Sequence, residues 1–175
     1  MSTYGATLSF LRRQNIDVQT SEYFPGVKSG ERVDGVLNQD VQRTSFPDEH
    51  FDLVTSNQVF EHVEDDIEGY RECFRVLKNQ GALIFSVPLH DLPKTRQLAY
   101  HVEDRLVYLT PPEYHSSRLS GPNSVLTYWH HSIHDICARV ASVGFEVSLV
   151  EYVLEGGGSS QPGWFTPLKN LAPSL

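Results

Sequence analysis

The stretch DVQRTSFPDEHFDLVTSNQVFEHVEDDIEGYRECFRVLKNQGALIFSVP, residues 40–88, contains two strand-like segments separated by one amphipathic segment. Phe51 to Ser56 (FDLVTS) predicts a buried strand, and Ala82 to Leu89 (ALIFSVPL) is an apolar run typical of a strand covered on both faces. The residues between them repeat at spacings of three and four and predict a helix with one apolar stripe: Val63, Ile67, Tyr70, Phe74 and Leu77. Asp65, followed three residues later by Glu68, is placed to cap the start of that helix. This stretch therefore predicts a strand–helix–strand unit.

The same alternation continues on both sides of this unit. A short helix is predicted over residues 4–15 and a strand over 17–23, and a second helix over 132–143 precedes a strand over 145–154. Alternating helices and strands favour an α/β domain with a Rossmann-like, doubly wound and mainly parallel sheet.

Composition divides the chain into a domain and a tail. We expect one domain over residues 1–155, which includes a polar, aromatic insertion at 88–123 that is long enough to form a functional lid. The glycine- and serine-rich stretch that starts at residue 156 predicts a flexible linker and tail over 156–175. A final strand, if one is present, would have to come from residues 163–168.

The charge balance argues against several classes of protein. The chain has 14 basic and 22 acidic residues and a net charge of -8, so its surface repels phosphate backbones and a nucleic-acid partner is not expected. No apolar run reaches the length of a membrane span, and no signal peptide is expected. Cys73 and Cys137 lie in helix-like stretches and are expected to be reduced, which favours a cytoplasmic location.

Polar residues follow three predicted strands or turns of this sheet. The first group surrounds Glu22, the second surrounds Asp40, and the third runs from Ser56 to Gln58 towards Glu61. Ligands of open α/β sheets bind at the carboxyl ends of the strands, where an acidic side chain can accept hydrogen bonds from ribose hydroxyls. Each group taken alone is also typical of a helix cap or a solvated turn. The hypothesis of a ligand site therefore depends on the order and spacing of the three groups along one sheet.

Residues 40–88 resemble class I S-adenosylmethionine-dependent methyltransferases of the type 11 kind almost throughout. The likeness lies in an acidic loop before F-P-D-x-x-F-D-L-V, then E-H-V, an R-E-x-x-R-V-L-K helix, a glycine turn and an apolar strand that ends in V-P. The upstream SEYFPG fits the acidic second strand of that family. The resemblance implies the class I methyltransferase fold and S-adenosylmethionine as the cofactor.

For the adenosine half of this cofactor, the resemblance implies four binding positions. Glu22 would hold the ribose, Tyr23 would flank the adenine, Asp40 would bind the adenine amino group, and Val41 would offer its backbone.

For the methionine half, the resemblance implies positions beside Asn57 and Gln58. The family's glycine-rich turn would lie upstream, where MSTYG leaves only Gly5 as a remnant, so the first strand and the glycine-rich motif are expected to be missing. That strand is central in the family's sheet. We therefore expect another segment to fill its place, the flanking strands to close up, or, as the preferred alternative, a homodimer to cover the exposed edges.

The candidate catalytic residues are histidines. Methyl transfer mainly requires alignment of the reacting groups, and a general base is needed only for a hydroxyl or amine acceptor. His62, His90 and His115 are the available candidates, although each could also be a structural or surface histidine. In the related family the position of His62 faces the cofactor or the substrate entrance. No metal is expected, because the cluster His130, His131 and His134 has only Asp135 near it and is more typical of a solvated helix start.

Three functions compete on this basis. The first is a methyltransferase acting on a small-molecule or saccharide acceptor, and Pro112–His115 (PEYH) resembles a segment of relatives suspected of modifying cell-surface saccharides. The second is a non-catalytic methyltransferase-like remnant that serves as an interaction or assembly module. The third, a nicotinamide-binding enzyme, would need a G-x-G-x-x-G turn before Glu22, and the sequence lacks it.

Overall fold

A computed structural model describes residues 6–117 and 121–150, together with two short segments at 164–165 and 168–169. The helices in these residues are α1 (Ala6–Arg13), a 3-10 turn (Phe60–His62), α2 (Asp66–Val76) and α3 (Ile136–Ala141). The strands up to the middle of the chain are β1 (Arg32–Val33), β2 (Val36–Leu37), β3 (Phe51–Asn57), β4 (Leu77–Ser86), β5 (Leu89–His90), β6 (Arg96–Gln97), β7 (Ala99–Val102) and β8 (Arg105–Tyr108). The remaining strands are β9 (Tyr114–Ser117), β10 (Gly121–Leu126), β11 (Trp129–Ser132), β12 (Phe145–Glu146), β13 (Leu149–Val150), β14 (Trp164–Phe165) and β15 (Leu168–Lys169). None of the helices in the described ranges is long and apolar enough to cross a membrane.

The main sheet is built on the parallel pair β3 and β4. Leu53 is opposite Ala82, and the register continues to Asn57 opposite Ser86, so both strands end at the same edge. On its other side β4 pairs antiparallel with β14 and β15, which in turn pair antiparallel with β13 and β12. Among the described strands, β3 pairs with β4 alone. The chain thus has the expected Rossmann-like α/β fold.

The core lies between α2 and this sheet. Phe60 stacks on Tyr70 with ring centroids 4.2 Å apart, and Phe60 meets Phe85 edge to face at 5.2 Å. All three rings are fully buried, as are Leu77 and Leu83. Burying a large apolar side chain stabilises a fold by roughly 1.5–3 kcal/mol. These rings therefore fix the chain segment that leaves β3 against the helix that follows it.

The predicted helix is confirmed, and its start is set by its cap. Asp65 accepts a hydrogen bond of 2.9 Å from the backbone N–H of Glu68, so α2 begins at Asp66, directly after the predicted cap. The turn before β3 is attached to the same helix, because Glu72 accepts hydrogen bonds from the N–H and the hydroxyl of Thr44, each 2.7 Å long.

The predicted strand over residues 51–56 is confirmed as β3, but it is less buried than its apolar residues indicate. Leu53 is 37% exposed. The strand expected at 17–23 is reduced to an isolated parallel bridge between Glu22 and Asn38. The strand expected at 145–154 is divided into β12 and β13 over residues 145–150, and residues 151–154 lie outside the described residues.

The second helix is shorter than predicted, because α3 begins at Ile136 rather than at Ser132. The residues before it form β11, in which His131 pairs with Leu89 and Ser132 pairs with His90 of β5. Of the predicted range 132–143, this long-range pairing takes only Ser132 into a strand, and residues 133–135 form a turn before α3.

The insertion at 88–123 consists, in its described part, of short strands. β5 and β6 pair with β11, while β7–β8 and β9–β10 form two antiparallel hairpins. Part of the predicted tail also enters the main sheet, since Phe165 pairs with Phe85 and Leu168 pairs with Ala82. Residues 156–175 are therefore not only a linker, and the final strand comes from the region that the sequence allowed.

Candidate functional site

The polar edge of the sheet lies where β3 and β4 end together. The Ser86 hydroxyl donates a hydrogen bond to Asn57 Oδ1, and the backbone N–H of Gln58 donates to the Ser86 carbonyl at 2.9 Å. Gln58 has a φ of 52°, a left-handed conformation that turns the chain sharply after the strand. Asn57 and Gln58 are both exposed, so the structure places these predicted residues at the carboxyl edge with accessible side chains.

The turn leads directly to a cluster of three ionisable side chains. Glu61 and His62 lie on the 3-10 turn, and His115 comes from β9. His115 Nδ1 is 3.1 Å from His62 Nε2, and Glu61 Oε1 is 3.8 Å from His62 Nε2 and 4.0 Å from His115 Nδ1. Two of the three predicted catalytic histidines are thus brought together, with a carboxyl group that the sequence did not single out.

The connection between β10 and β11 holds this cluster in place. His62 Nδ1 lies 2.7 Å from the Leu126 carbonyl, and the Tyr128 N–H donates a hydrogen bond of 2.8 Å to the Glu61 carbonyl. Because a carbonyl only accepts, Nδ1 of His62 carries the hydrogen and Nε2 keeps its lone pair. The backbone therefore fixes both the position and the tautomer of His62.

Burial dominates the electrostatics of the cluster. The Glu61 side chain is 1% exposed, and neither of its carboxyl oxygens has a hydrogen-bond partner among the described residues. Burial raises the pKa of Glu61 to about 8. Burial also lowers the pKa of His62 to about 4. In the protein alone, both side chains are therefore neutral at pH 7.

His90 lies in a different pair. Its ring stacks on His130 with centroids 4.0 Å apart and an interplanar angle of 20°. Burial lowers the pKa of His90, and the neighbouring His130 adds to this effect. The structure thus joins His62 to His115, and His90 to His130.

The predicted histidine cluster before α3 is divided among separate partners. His130 Nε2 is 2.7 Å from Glu113 Oε2, His134 Nε2 is 2.8 Å from Asp91 Oδ1, and the buried His131 lies beside Asp66. These histidines precede α3 and share no helical face.

The residues predicted to bind the adenosine half lie in two adjacent loops. The Gln39 N–H donates a hydrogen bond of 2.9 Å to the Glu22 carbonyl, which ties the second loop to the first. Tyr23 is 58% exposed, and its pKa is raised by partial burial and by the charge of Asp40. The structure therefore brings Glu22, Tyr23 and Asp40 together.

The two remaining positions predicted to contact the adenine, Asp40 and Val41, are each held in place by the surrounding structure. Asp40 Oδ1 accepts a hydrogen bond of 2.9 Å from the Gln42 N–H, which fixes the loop conformation. The side chain of Val41 is 5% exposed and packs in the core, which orients its backbone. Gly5 lies outside the described residues.

An acidic cleft lies beside the segment that follows His62. Its volume is about 470 Å³. Its lining includes Glu64, Asp65 and Asp66 together with Trp129 and Arg139. The Arg139 guanidinium lies 4.8 Å from the centroid of the Trp129 ring and pairs with Asp66. A cleft of this size can take a polar small molecule.

Comparison with known proteins gives a family match over the first half of the chain. The model of the methyltransferase domain family matches residues 4–85. No curated protein sequence gave a significant match. The match covers 82 of the 175 residues, and the Rossmann-like fold of the described residues agrees with it.

Solved structures share the fold at low sequence identity. A chain of the complex between the Haloferax volcanii Trm112 methyltransferase activator and a methyltransferase has a TM-score of 0.51 and 14% identity, covering 81% of this chain and 65% of that one. The Burkholderia thailandensis 1,6-didemethyltoxoflavin-N1-methyltransferase was solved with bound 1,6-didemethyltoxoflavin and S-adenosylhomocysteine. It has a TM-score of 0.50 and 12% identity, and the match covers 77% of this chain and 50% of that one. The [4+2]-cyclase SpnF has a TM-score of 0.44 and 16% identity, and the match covers 66% of this chain and 34% of that one. This chain therefore spans between 34% and 65% of the length of these three structures.

Proposed function

We propose that this chain is an S-adenosylmethionine-dependent methyltransferase that acts on a small-molecule or saccharide acceptor. The observation that carries the proposal is the shared polar edge of β3 and β4, where Asn57, Gln58 and His62 lie within the segment that matches the methyltransferase family. Open α/β sheets bind their ligands at this edge.

The residues of the two adjacent loops fit the adenosine half of the cofactor. Glu22 offers a carboxylate beside the strand edge, the exposed Tyr23 ring offers a surface for stacking, and Asp40 offers a carboxylate acceptor for an amino group. When bound, S-adenosylmethionine supplies an activated methyl group. The protein's own part is then to align the acceptor, and orientation of this kind can contribute roughly 7–11 kcal/mol to a rate.

His62 and His115 are the groups that can move a proton from an acceptor. His62 Nε2 keeps a lone pair because its Nδ1–H is held by the Leu126 carbonyl, and the His115 side chain is 42% exposed. Proton transfer by a positioned histidine contributes typically 10²–10⁴-fold to a rate, and it is needed for hydroxyl and amine acceptors. We propose His90 as a third candidate for the proton acceptor. It ranks below His62 and His115 because its ring stacks on His130 rather than joining the cluster of Glu61, His62 and His115.

The acidic cleft supports a polar acceptor. Its carboxylates can accept hydrogen bonds from hydroxyl or amino groups, and the Trp129 ring offers an apolar face. Glu64, which lines this cleft, lies two residues after His62 in the sequence.

Calorimetric titration of the full chain with S-adenosylhomocysteine tests the proposal. We expect saturable binding, and Glu22→Ala should weaken it by about 10–100-fold, because hydrogen bonds to a charged group contribute about 1.5–3 kcal/mol. Asp40→Ala should weaken it similarly.

The matched control is Glu31→Ala, which removes an exposed carboxylate from the same region. It should bind as the unaltered chain does. No binding at millimolar ligand would contradict the enzyme proposal and favour the non-catalytic interaction module instead.

A further inference from the structure

The buried carboxyl group of Glu61 is not explained by the proposed methyl transfer. Its side chain is 1% exposed, and both of its oxygens are without a hydrogen-bond partner in the described part of the chain. Burying a carboxylate without compensation is costly, so such a group requires either a proton or a cation. The residues around Glu61 indicate whether a proton or a cation fits this site.

Three potential ligand atoms converge at one point beside this carboxyl group. Glu61 Oε1, His62 Nε2 and His115 Nδ1 are separated by 3.1, 3.8 and 4.0 Å. A circle through the three atoms has a radius of about 2.1 Å. Zinc binds histidine nitrogen and carboxylate oxygen at about 2.0–2.2 Å. An ion at that point would therefore have ordinary bond lengths to all three atoms with only small side-chain shifts.

The hydrogen bonding of His62 is that of a metal ligand. Metal-binding histidines usually donate their second ring N–H to a carbonyl or carboxylate, which fixes the tautomer and orients the ring. His62 does so through Nδ1, 2.7 Å from the Leu126 carbonyl. A direct hydrogen bond from His115 Nδ1 to His62 Nε2 would pair the two rings, but it would leave Glu61 without a partner.

We propose that Glu61, His62 and His115 bind one divalent transition-metal ion. Two imidazoles and one carboxylate suit zinc, cobalt, iron or manganese, whereas magnesium and calcium prefer sets made of oxygen atoms. Three protein ligands leave at least one coordination position open, as in catalytic rather than structural sites. The inference goes beyond the proposed methyl transfer, since it requires no bound S-adenosylmethionine. An ion here would occupy His62 Nε2, so this nitrogen could accept a proton only in the metal-free protein.

Titration with cobalt(II) tests this site directly. The full chain is first freed of metal with a chelator, and Co²⁺ is then added while its visible absorption and the unfolding temperature are measured. We expect one equivalent to bind, with a change in absorption that Zn²⁺ reverses by displacement, and with a rise in the unfolding temperature. Mg²⁺ should produce no comparable rise.

Variants of the three residues give the decisive comparison. Glu61→Gln and His115→Ala should each weaken Co²⁺ binding by at least roughly 10-fold. Loss of a residue that only hydrogen-bonds to a metal ligand already costs this much affinity, and these two residues are proposed as ligands themselves. The control is His134→Ala, which removes an exposed histidine that also has a carboxylate partner, Asp91, at 2.8 Å. This control should bind Co²⁺ as the unaltered chain does.

Two outcomes would overturn the proposal. One is the absence of Co²⁺ binding by the unaltered chain up to millimolar concentration, and the other is equal binding by the unaltered chain and His115→Ala. Circular dichroism in the presence of chelator establishes that each variant is folded. If Glu61→Gln does not fold, His115→Ala decides the question alone, because this half-buried residue lies on a hairpin outside the core. No S-adenosylmethionine is present, so failure here leaves the proposed function standing.

Discussion

At the scale of single residues, several ionisable side chains are buried without a hydrogen-bond partner in the described residues. His131 is fully buried, and neither of its ring nitrogens has such a partner. Burial lowers its pKa to about 3, and the nearby Arg139 adds to this effect. Its Nε2 lies 3.7 Å from Asp66, but at pH 7 the histidine is neutral, so the two do not form an ion pair. This residue should make the fold sensitive to acid.

The predicted effect follows from where protons bind. Between the unfolded pKa of about 6.5 and the folded value of about 3, the unfolded chain binds a proton at His131 and the folded chain does not. The free energy of unfolding should therefore fall as the pH is lowered from 6.5, by up to about 1.4 kcal/mol per pH unit for this group. Urea denaturation of the unaltered chain and His131→Leu at a series of pH values measures it, and the variant should show the shallower dependence.

His134→Leu serves as the control for this measurement, since His134 is exposed. Its pH dependence should parallel that of the unaltered chain. Asp66 titrates in all three proteins, so its contribution largely cancels in the comparison. Identical slopes for the unaltered chain and His131→Leu would contradict the assignment of acid sensitivity to this residue.

At the scale of elements, helix α2 is the part of the fold that depends most on local sequence. Its start is fixed by the hydrogen bond from the Glu68 N–H to the exposed side chain of Asp65. Asp65→Ala should lower the free energy of unfolding by about 1 kcal/mol, the usual loss for an N-cap residue. Urea denaturation measures this change, and the slope with urea should stay constant because no core contact is altered.

Two matched variants make that test specific. Asp65→Asn retains a capping oxygen and should cost only a small fraction of the same free energy. Glu68→Ala removes only an exposed pair with Arg71, which contributes at most about 1 kcal/mol and often nothing measurable. Equal losses for Asp65→Ala and Asp65→Asn would show that the cap does not set the stability of the helix start.

Elements defined by local patterns could be predicted, and elements defined by distant pairing could not. The apolar stripe of α2 and the segments that become β3 and β4 are visible in the sequence, because burial of one face repeats with a fixed period. β11 was missed, since it is defined by long-range pairing, in which His131 lies opposite Leu89 and Ser132 opposite His90.

The same distinction applies to the candidate site. Asn57, Gln58 and His62 follow a predicted strand, so their place at the edge could be expected. The contact between His62 and His115 spans 53 residues and depends on the β9–β10 hairpin, which has no clear sequence signal. Glu61 could have been singled out only by its position next to His62, because burial of its carboxyl group is set by the tertiary fold.

At the scale of the whole molecule, we propose a homodimer in a reducing, cytoplasmic environment. Cys73 and Cys137 are free thiols, as is usual in such an environment. β3 pairs with β4 alone among the described strands, and its Leu53 is 37% exposed, so a second copy could cover this side of the sheet. Sedimentation equilibrium should give twice the chain mass of 19.8 kDa. A single species of 19.8 kDa over the micromolar range would contradict the dimer.

The central claim is that the edge formed by β3, β4 and the two adjacent loops binds S-adenosylmethionine. Titration of the unaltered full chain with S-adenosylhomocysteine, followed by calorimetry, tests it most directly. The account predicts saturable binding at one site per chain that depends on Glu22 and Asp40 but not on Glu31. Absence of binding at millimolar ligand, or binding that Glu22→Ala and Asp40→Ala leave unchanged, would contradict it.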